Sequence, residues 1–244
     1  FAEAARWFKL AAEQGHAAAQ FALGVMYAQG EGVEQDYAEA VRWFQMAAEQ
    51  GHTEAMEILL KMQQEGDRIK SIAEQGNADA QFSLGEMYAN GLGVEQDNAE
   101  AARWFKLAAE QGNADAQFSL GAMCATGLGV EQDFAEAVRW FQMAAEQGHA
   151  EAQLNLGVMH AKGLGVEQDF AEAARWWKMA AEQGHAEAKC ALISIMAEVG
   201  DAEAQHLMGI MHKTGCNVSQ NNAEAGRWFQ MAAEQGHAEA QLNL

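Results

Sequence analysis

Eight histidines, three cysteines and 35 acidic side chains give this 244-residue chain ample material for metal binding or acid–base chemistry. Their spacing decides how much of it is usable. His16, His52, His149, His185 and His237 each follow a glycine, at places where Asn77, Asn113 and Asp201 stand elsewhere. Residues that exchange in this way are turn or helix-cap residues, whose side chains bond to nearby backbone. His206, His212 and Cys216 form a local set with mixed metal-ligand character. A six-residue separation puts His206 and His212 on different faces of a helix, so no metal site is expected there. Most glutamates recur at fixed offsets, as caps or surface charge. No serine or cysteine nucleophile sits in a strand–turn–helix setting, and no phosphate-cradling glycine pattern precedes a lysine, so neither catalytic residues nor a cofactor are expected. Cys124, Cys190 and Cys216 are odd in number and irregularly placed. Reduced thiols are expected, which favours a cytosolic compartment, with a secreted or periplasmic one open if an N-terminal segment is missing.

The elements that hold these residues come from a 36-residue unit, readable from Gly76 to Gly184 as NADAQFSLGEMYANGLGVEQDNAEAARWFKLAAEQG and two close copies. The closing glycines are Gly15, Gly51, Gly76, Gly112, Gly148, Gly184, Gly200 and Gly236, spaced 36, 25, 36, 36, 36, 16 and 36 residues apart. Such periodicity specifies an array whose core grows by one layer per unit. Proline is absent and 24 glycines punctuate alanine-rich stretches, which suits short helices joined by glycine turns. In the first helix of a unit, Ala19, Leu23, Met26 and Tyr27 share a face. Gly24 and its counterparts Gly85, Gly121, Gly157 and Gly209 let another helix approach closely. The second helix opens on a cap, Asp36, Asp97, Asp133, Asp169 or Asn221, followed three residues later by glutamate. It presents Ala40, Trp43, Phe44 and Ala47, and Trp7, Trp43, Trp104, Trp140, Trp176 and Trp228 mark one packing wedge per unit. Two units are contracted. From Gly51 to Gly76 the double-glycine loop and Trp-Phe wedge are missing, and Glu65-Gly66-Asp67 is expected to turn Glu54–Gln64 into a stunted second helix, Arg68–Gln75. From Gly184 to Gly200 there is room for one helix only.

The pattern Ala-x-x-x-Leu-Gly-x-Met-Tyr, Gly-x-Gly-Val-x-x-Asp, Ala-x-x-Trp-Phe-x-x-Ala-Ala-Glu-Gln-Gly closely resembles the Sel1-like repeat, a relative of the tetratricopeptide repeat, over essentially the whole chain. The resemblance implies an all-α fold: antiparallel helix pairs in a right-handed superhelical solenoid, a single array over residues 1–244, with first helices lining a concave surface used for protein interaction. The cysteine-rich bacterial branch of the family pairs cysteines in most repeats, and this chain departs from that pattern. Phe1 aligns with Tyr37 and Leu244 falls inside a first helix, as expected of a piece of a longer array.

Function is sought where the units differ. The sixth and tenth positions after each closing glycine are Phe21/Val25, Phe82/Glu86, Phe118/Ala122, Leu154/Val158 and His206/Ile210, about one helical turn apart. By resemblance to tetratricopeptide grooves this stripe faces the concavity. The seventh and fourteenth positions, Ala22/Gln29, Ser83/Asn90, Ser119/Thr126, Asn155/Lys162 and Leu207/Thr214, form its polar margin. Two roles stay open for the stripe, binding a peptide or protein or packing between first helices, and the contracted units either shape a partner site or are tolerated deletions. A formal charge of −20 argues against unaided binding to nucleic acid or anionic membrane and favours a partner with basic flanks. No run approaches the roughly 18 apolar residues of a membrane span. The expected activity is that of a nonenzymatic scaffold or adaptor. The alternatives are a hydrolase by analogy with the cysteine-rich relatives, its polar groups drawn from the Gly184–Cys216 region, or a structural spacer. Exposed array ends would allow end-to-end self-association.

Overall fold

The computed structural model describes residues 2–216 and 218–244. The described residues form fourteen α-helices and no strand: α1 (Ala2–Glu13), α2 (Ala17–Gln29), α3 (Tyr37–Glu49), α4 (Thr53–Glu74), α5 (Ala78–Asn90), α6 (Asn98–Glu110), α7 (Ala114–Thr126), α8 (Phe134–Glu146), α9 (Ala150–Lys162), α10 (Phe170–Glu182), α11 (Ala186–Glu198), α12 (Ala202–Thr214), α13 (Asn222–Glu234) and α14 (Ala238–Leu242). They divide into two compact units, Phe1–Gln132 and Asp133–Leu244, and within each unit consecutive helices pack on one another as stacked pairs.

The regular pairs are closed by backbone chemistry that the repeat carries. Asp97 Oδ1 accepts the amides of Ala99 and Glu100 at 2.9 and 3.1 Å, and Asp133, Asp169 and Asn221 do the same at the starts of α8, α10 and α13. The glutamate of the first turn pairs with the arginine three residues on, as in Glu39–Arg42 and Glu172–Arg175, both at 2.9 Å. First helices end on a left-handed glycine. At Gly91, φ is 68° and the amide bonds back to the Met87 carbonyl, a conformation that a side chain would strain.

Between the two helices of a pair, one glycine removes a side chain where a ring must fit. A Cβ on Gly85 would lie 2.6 Å from Cδ1 and Cε1 of Phe105, and one on Gly24 would lie 2.7 Å from Cε1 of Phe44. The alanine, tryptophan and phenylalanine face of the second helix fills the core as expected. Trp43, Trp104, Trp140 and Trp176 are buried, Trp228 is half-buried, and Trp7 in α1 is 62% exposed.

A second device, absent from the sequence reading, is polar and buried. Gln20, Gln81, Gln117, Gln153 and Gln205 are all at most 5% exposed. Each sends its amide to a carbonyl eight residues back, at the end of the preceding helix, as Gln81 Nε2 does to Ala73 at 3.1 Å. Gln20, Gln81, Gln153 and Gln205 also accept, at 2.6–2.8 Å, from the glutamine that closes the second helix, Gln50, Gln111, Gln183 and Gln235 respectively. A buried amide is tolerated only when so satisfied. The Glu-Gln helix ends are therefore partly internal struts, and not surface polarity alone.

The contracted units divide the expectations. Between Gly184 and Gly200 stands the single helix α11, as its length requires. Between Gly51 and Gly76 the expected turn at Glu65-Gly66-Asp67, with a stunted second helix, is wrong: Thr53–Glu74 is one continuous helix of 22 residues. Gly66 is buried, and a Cβ there would lie 2.8 Å from the Met87 methyl, so glycine serves close packing inside a helix. Glycine costs a helix about 1 kcal/mol relative to alanine, but alanine here would collide with Met87; the exposed Glu65–Arg68 pair, at 2.6 Å, flanks the position. The first half of α4, with Ala55, Ile58 and Leu59, packs on α3; the second half, with Ile69 and Ala73, packs on α5. α4 thus spans about 33 Å, where a 13-residue helix spans about 20 Å.

Candidate partner-binding surface

In the first unit, Phe21 and Phe82 lie against the second helix of their own pair. Phe21 and Phe44 have ring centroids 5.7 Å apart, and Phe82 and Phe105 5.6 Å. Phe21 also stacks on His52 at 4.5 Å. Phe21, Phe82 and Phe118 are half-buried, so part of each ring stays accessible. In the second unit Leu154 and His206 are buried, Leu154 within a cluster containing Ala173, Trp177 and Ile195. The tenth positions reach further out: Val25, Ala122 and Val158 are half-buried, while Glu86 and Ile210 are exposed. Of the polar margin, Gln29, Asn90, Thr126, Lys162 and Thr214 are exposed and their seventh-position companions are half-buried. Although Glu86 as a residue is exposed, its carboxyl is partly desolvated by neighbouring atoms, and this, followed by the negative charge of Asp115, raises it above its ordinary value.

The middle of α4 is the largest departure from repeat packing in the first unit. Val25, Ala28, Tyr37, Val41, Phe44, Ile58, Met62 and Leu92 line an apolar hollow of about 300 Å³. Val41 and Met62 also belong to a wider one of about 570 Å³, with Leu59 and Val94 on its walls and Arg42, Gln63, Asp67 and Glu95 at its edge. The apolar hollow lies beside α4, in the contracted unit where the sequence lacks the Trp-Phe wedge between Gly51 and Gly76.

The histidines that follow closing glycines sit at helix N-termini. Nδ1 of His149, His185 and His237 accepts the amide three residues on, whereas His16 and His52 hold the same position without that bond. Asn77, Asn113 and Asp201 cap their helices in the same way. Cys124 is buried, Cys190 half-buried and Cys216 exposed.

The Sel1 repeat model matches six stretches of the chain, residues 1–16, 17–52, 78–113, 114–149, 150–185 and 202–237. The chain belongs to the Sel1 repeat family. Both intervals that interrupt the Sel1 matches are the contracted units, occupied by α4 and α11. The Sel1 array is similar to the crystal structure of c5321, a protective antigen present in uropathogenic Escherichia coli strains and displaying an SLR fold: 35% identity, a TM-score of 0.55, and coverage of 98% of this chain and 58% of that one. The chain therefore spans 58% of the length of that relative. A Sel1 repeat protein from Oxalobacter formigenes is 31% identical, with a TM-score of 0.44 and coverage of 93% and 76%. No curated protein matches the chain at a significant level. Among the described residues no helix is long and apolar enough to cross a membrane.

Proposed function

We propose that this Sel1 array is a nonenzymatic scaffold that seats an apolar-anchored peptide or protein segment on its first-helix surface, the side expected of the family to be concave. The hollow beside α4 carries this reading. It offers Val25, a member of the sequence-derived stripe, together with Ile58, Met62 and Leu92 to an incoming side chain. Concave apolar sites ringed by polar groups are where partner side chains gain most from leaving water. Asp67 and Glu95, which line the wider hollow that shares Val41 and Met62 with it, and Glu86 on the same unit suit basic residues flanking the anchor and select its register.

The test is capture from source-cell lysate with the wild-type chain, a Val25→Asp/Met62→Asp variant and a Phe82→Ala/Phe118→Ala variant, each checked for helicity. A protein retained by wild type and lost from both variants supports the surface. Loss from the first variant alone confines the site to the hollow. Equal eluates from all three overturn the reading in favour of a spacer.

A further inference from the structure

One cluster departs from repeat packing in a way that points to a ligand. In the first unit an acid in one first helix meets the cap residue of the next: the side chains of Asp79 and Asn113 are 3.1 Å apart. In the second unit the same rung is Glu203 and His237, with Nε2 2.8 Å from Oε2. What is new there is His206. Its counterparts in the first unit are Phe21, Phe82 and Phe118, and it takes the phenylalanine niche, with its ring 5.8 Å from Phe229 and 4.5 Å from His237. His206 is 3% exposed, and neither of its ring nitrogens makes a hydrogen bond. An imidazole placed where a benzene ring would pack without loss leaves two buried polar atoms unsatisfied, a cost that repeat packing does not explain.

From this juxtaposition we infer that Glu203, His206 and His237 form a binding site for a zinc-class divalent cation. The donor atoms of the three residues lie within 4.8 Å of one another. Bonds of about 2.0–2.1 Å in a tetrahedron require donor separations of about 3.3 Å, within reach of small side-chain rotations. Two imidazoles and a carboxylate suit zinc, with a fourth position left for water, and do not suit the oxygen-seeking magnesium or calcium. Glu239 stands behind the site, its Oε2 3.8 Å from His206 Nδ1, the place of an outer carboxylate that orients a metal-bound imidazole. His237 has a tautomeric cost. Its Nδ1 accepts the Ala240 amide at 3.2 Å, so its proton sits on Nε2 and faces Glu203. A cation at Nε2 moves that proton to Nδ1 and releases the cap of α14.

The repeat supplies its own controls. His206→Phe installs the residue that three other units use in that niche, and His237→Asn installs the cap used at Asn77 and Asn113, so neither variant threatens folding. Zinc chloride is titrated into the wild-type chain, each single variant and the double variant by isothermal calorimetry, with magnesium chloride in parallel and thermal unfolding with and without zinc. Wild type is expected to bind one zinc ion at this site and to melt higher with it. Each single variant should bind at least tenfold more weakly, and the double variant should lose the site. Zinc binding that is unchanged in the double variant, absent from wild type, or matched by magnesium overturns the assignment. Without zinc, His206→Phe should melt no lower than wild type, because it removes the two orphaned nitrogens.

Discussion

Replacing Gly85 by alanine sets two effects of comparable size against each other in one helix. Alanine is the better helix former by about 1 kcal/mol, so propensity alone makes the change stabilising. The new Cβ, however, would stand 2.6 Å from two carbons of the Phe105 ring and 3.1 Å from a third. A ring on the buried face of α6 cannot retreat as the end of a flexible chain can, and overpacking of this kind costs about 1–3 kcal/mol. The net expectation is a loss of about 1–2 kcal/mol, the overpacking term in its upper range less the propensity gain. Gly226 supplies the control: it too lies inside a helix, α13, yet a Cβ there meets nothing within 4 Å. Gly226→Ala should therefore gain about 0.5–1 kcal/mol. Urea unfolding followed by circular dichroism reads both variants, compared through their midpoints at matched slopes. Phe105→Leu in the Gly85→Ala background should recover part of the loss, since the two sites are coupled through one contact. A stabilised Gly85→Ala, or equal responses at the two glycines, would refute the argument that ring-to-backbone approach fixes this position.

Three further outcomes follow from the same packing. Asp97→Ala removes the acceptor for two amides at the start of α6 and should cost about 1 kcal/mol by urea unfolding, whereas Asp97→Asn, the type of cap found at Asn221, should cost less. Gln81→Ala breaks a buried strut at both ends and should cost about 1–3 kcal/mol, with Gln111→Ala, whose residue is exposed, costing less; equal effects would deny burial its part. Glu86 holds its proton more tightly in the folded chain than in the unfolded one, so its contribution to stability falls as pH rises through that interval. Glu86→Gln should therefore gain on wild type as pH rises above the ordinary carboxylate range of about 4.3 in paired unfolding curves, and a gap that stays constant or shrinks would refute the shift.

Helices and their ends were legible in the sequence because each depends on local chemistry repeated many times: the Asp caps, the Gly-Val loops and the Trp-Phe face all return in register. Two features were not legible, for different reasons. Gly66 between Glu65 and Asp67 has the composition of a turn, and only the Met87 methyl, delivered by another helix, makes glycine the helical choice. The amide of Gln81 looks like a surface residue until the carbonyl of Ala73 is placed beside it. The stripe was legible as a set of positions, but the side chains differ in what they do: Phe21 and Phe82 are tied to second-helix rings, while Val25 borders open space beside α4. His206 is the sharpest case. Spacing sets it apart from His212, on another face of the same helix, whereas folding brings to it a histidine from the next first helix, beside a glutamate one turn back.

Helix α4 also bears on cooperativity. In a stacked array each layer is held by its neighbours, and melting spreads from layer to layer through their interfaces. Here a single rod serves the layers on both of its flanks, its first half bound to α3 and its second half to α5. Fraying at either end shortens the support of one flank, whereas a break in the middle, at Gly66, uncouples the two. The elements before and after α4 then behave as separate foldons, so the amide protection of Leu59 to Ile69 reports whether this part of the array opens as one body or as two.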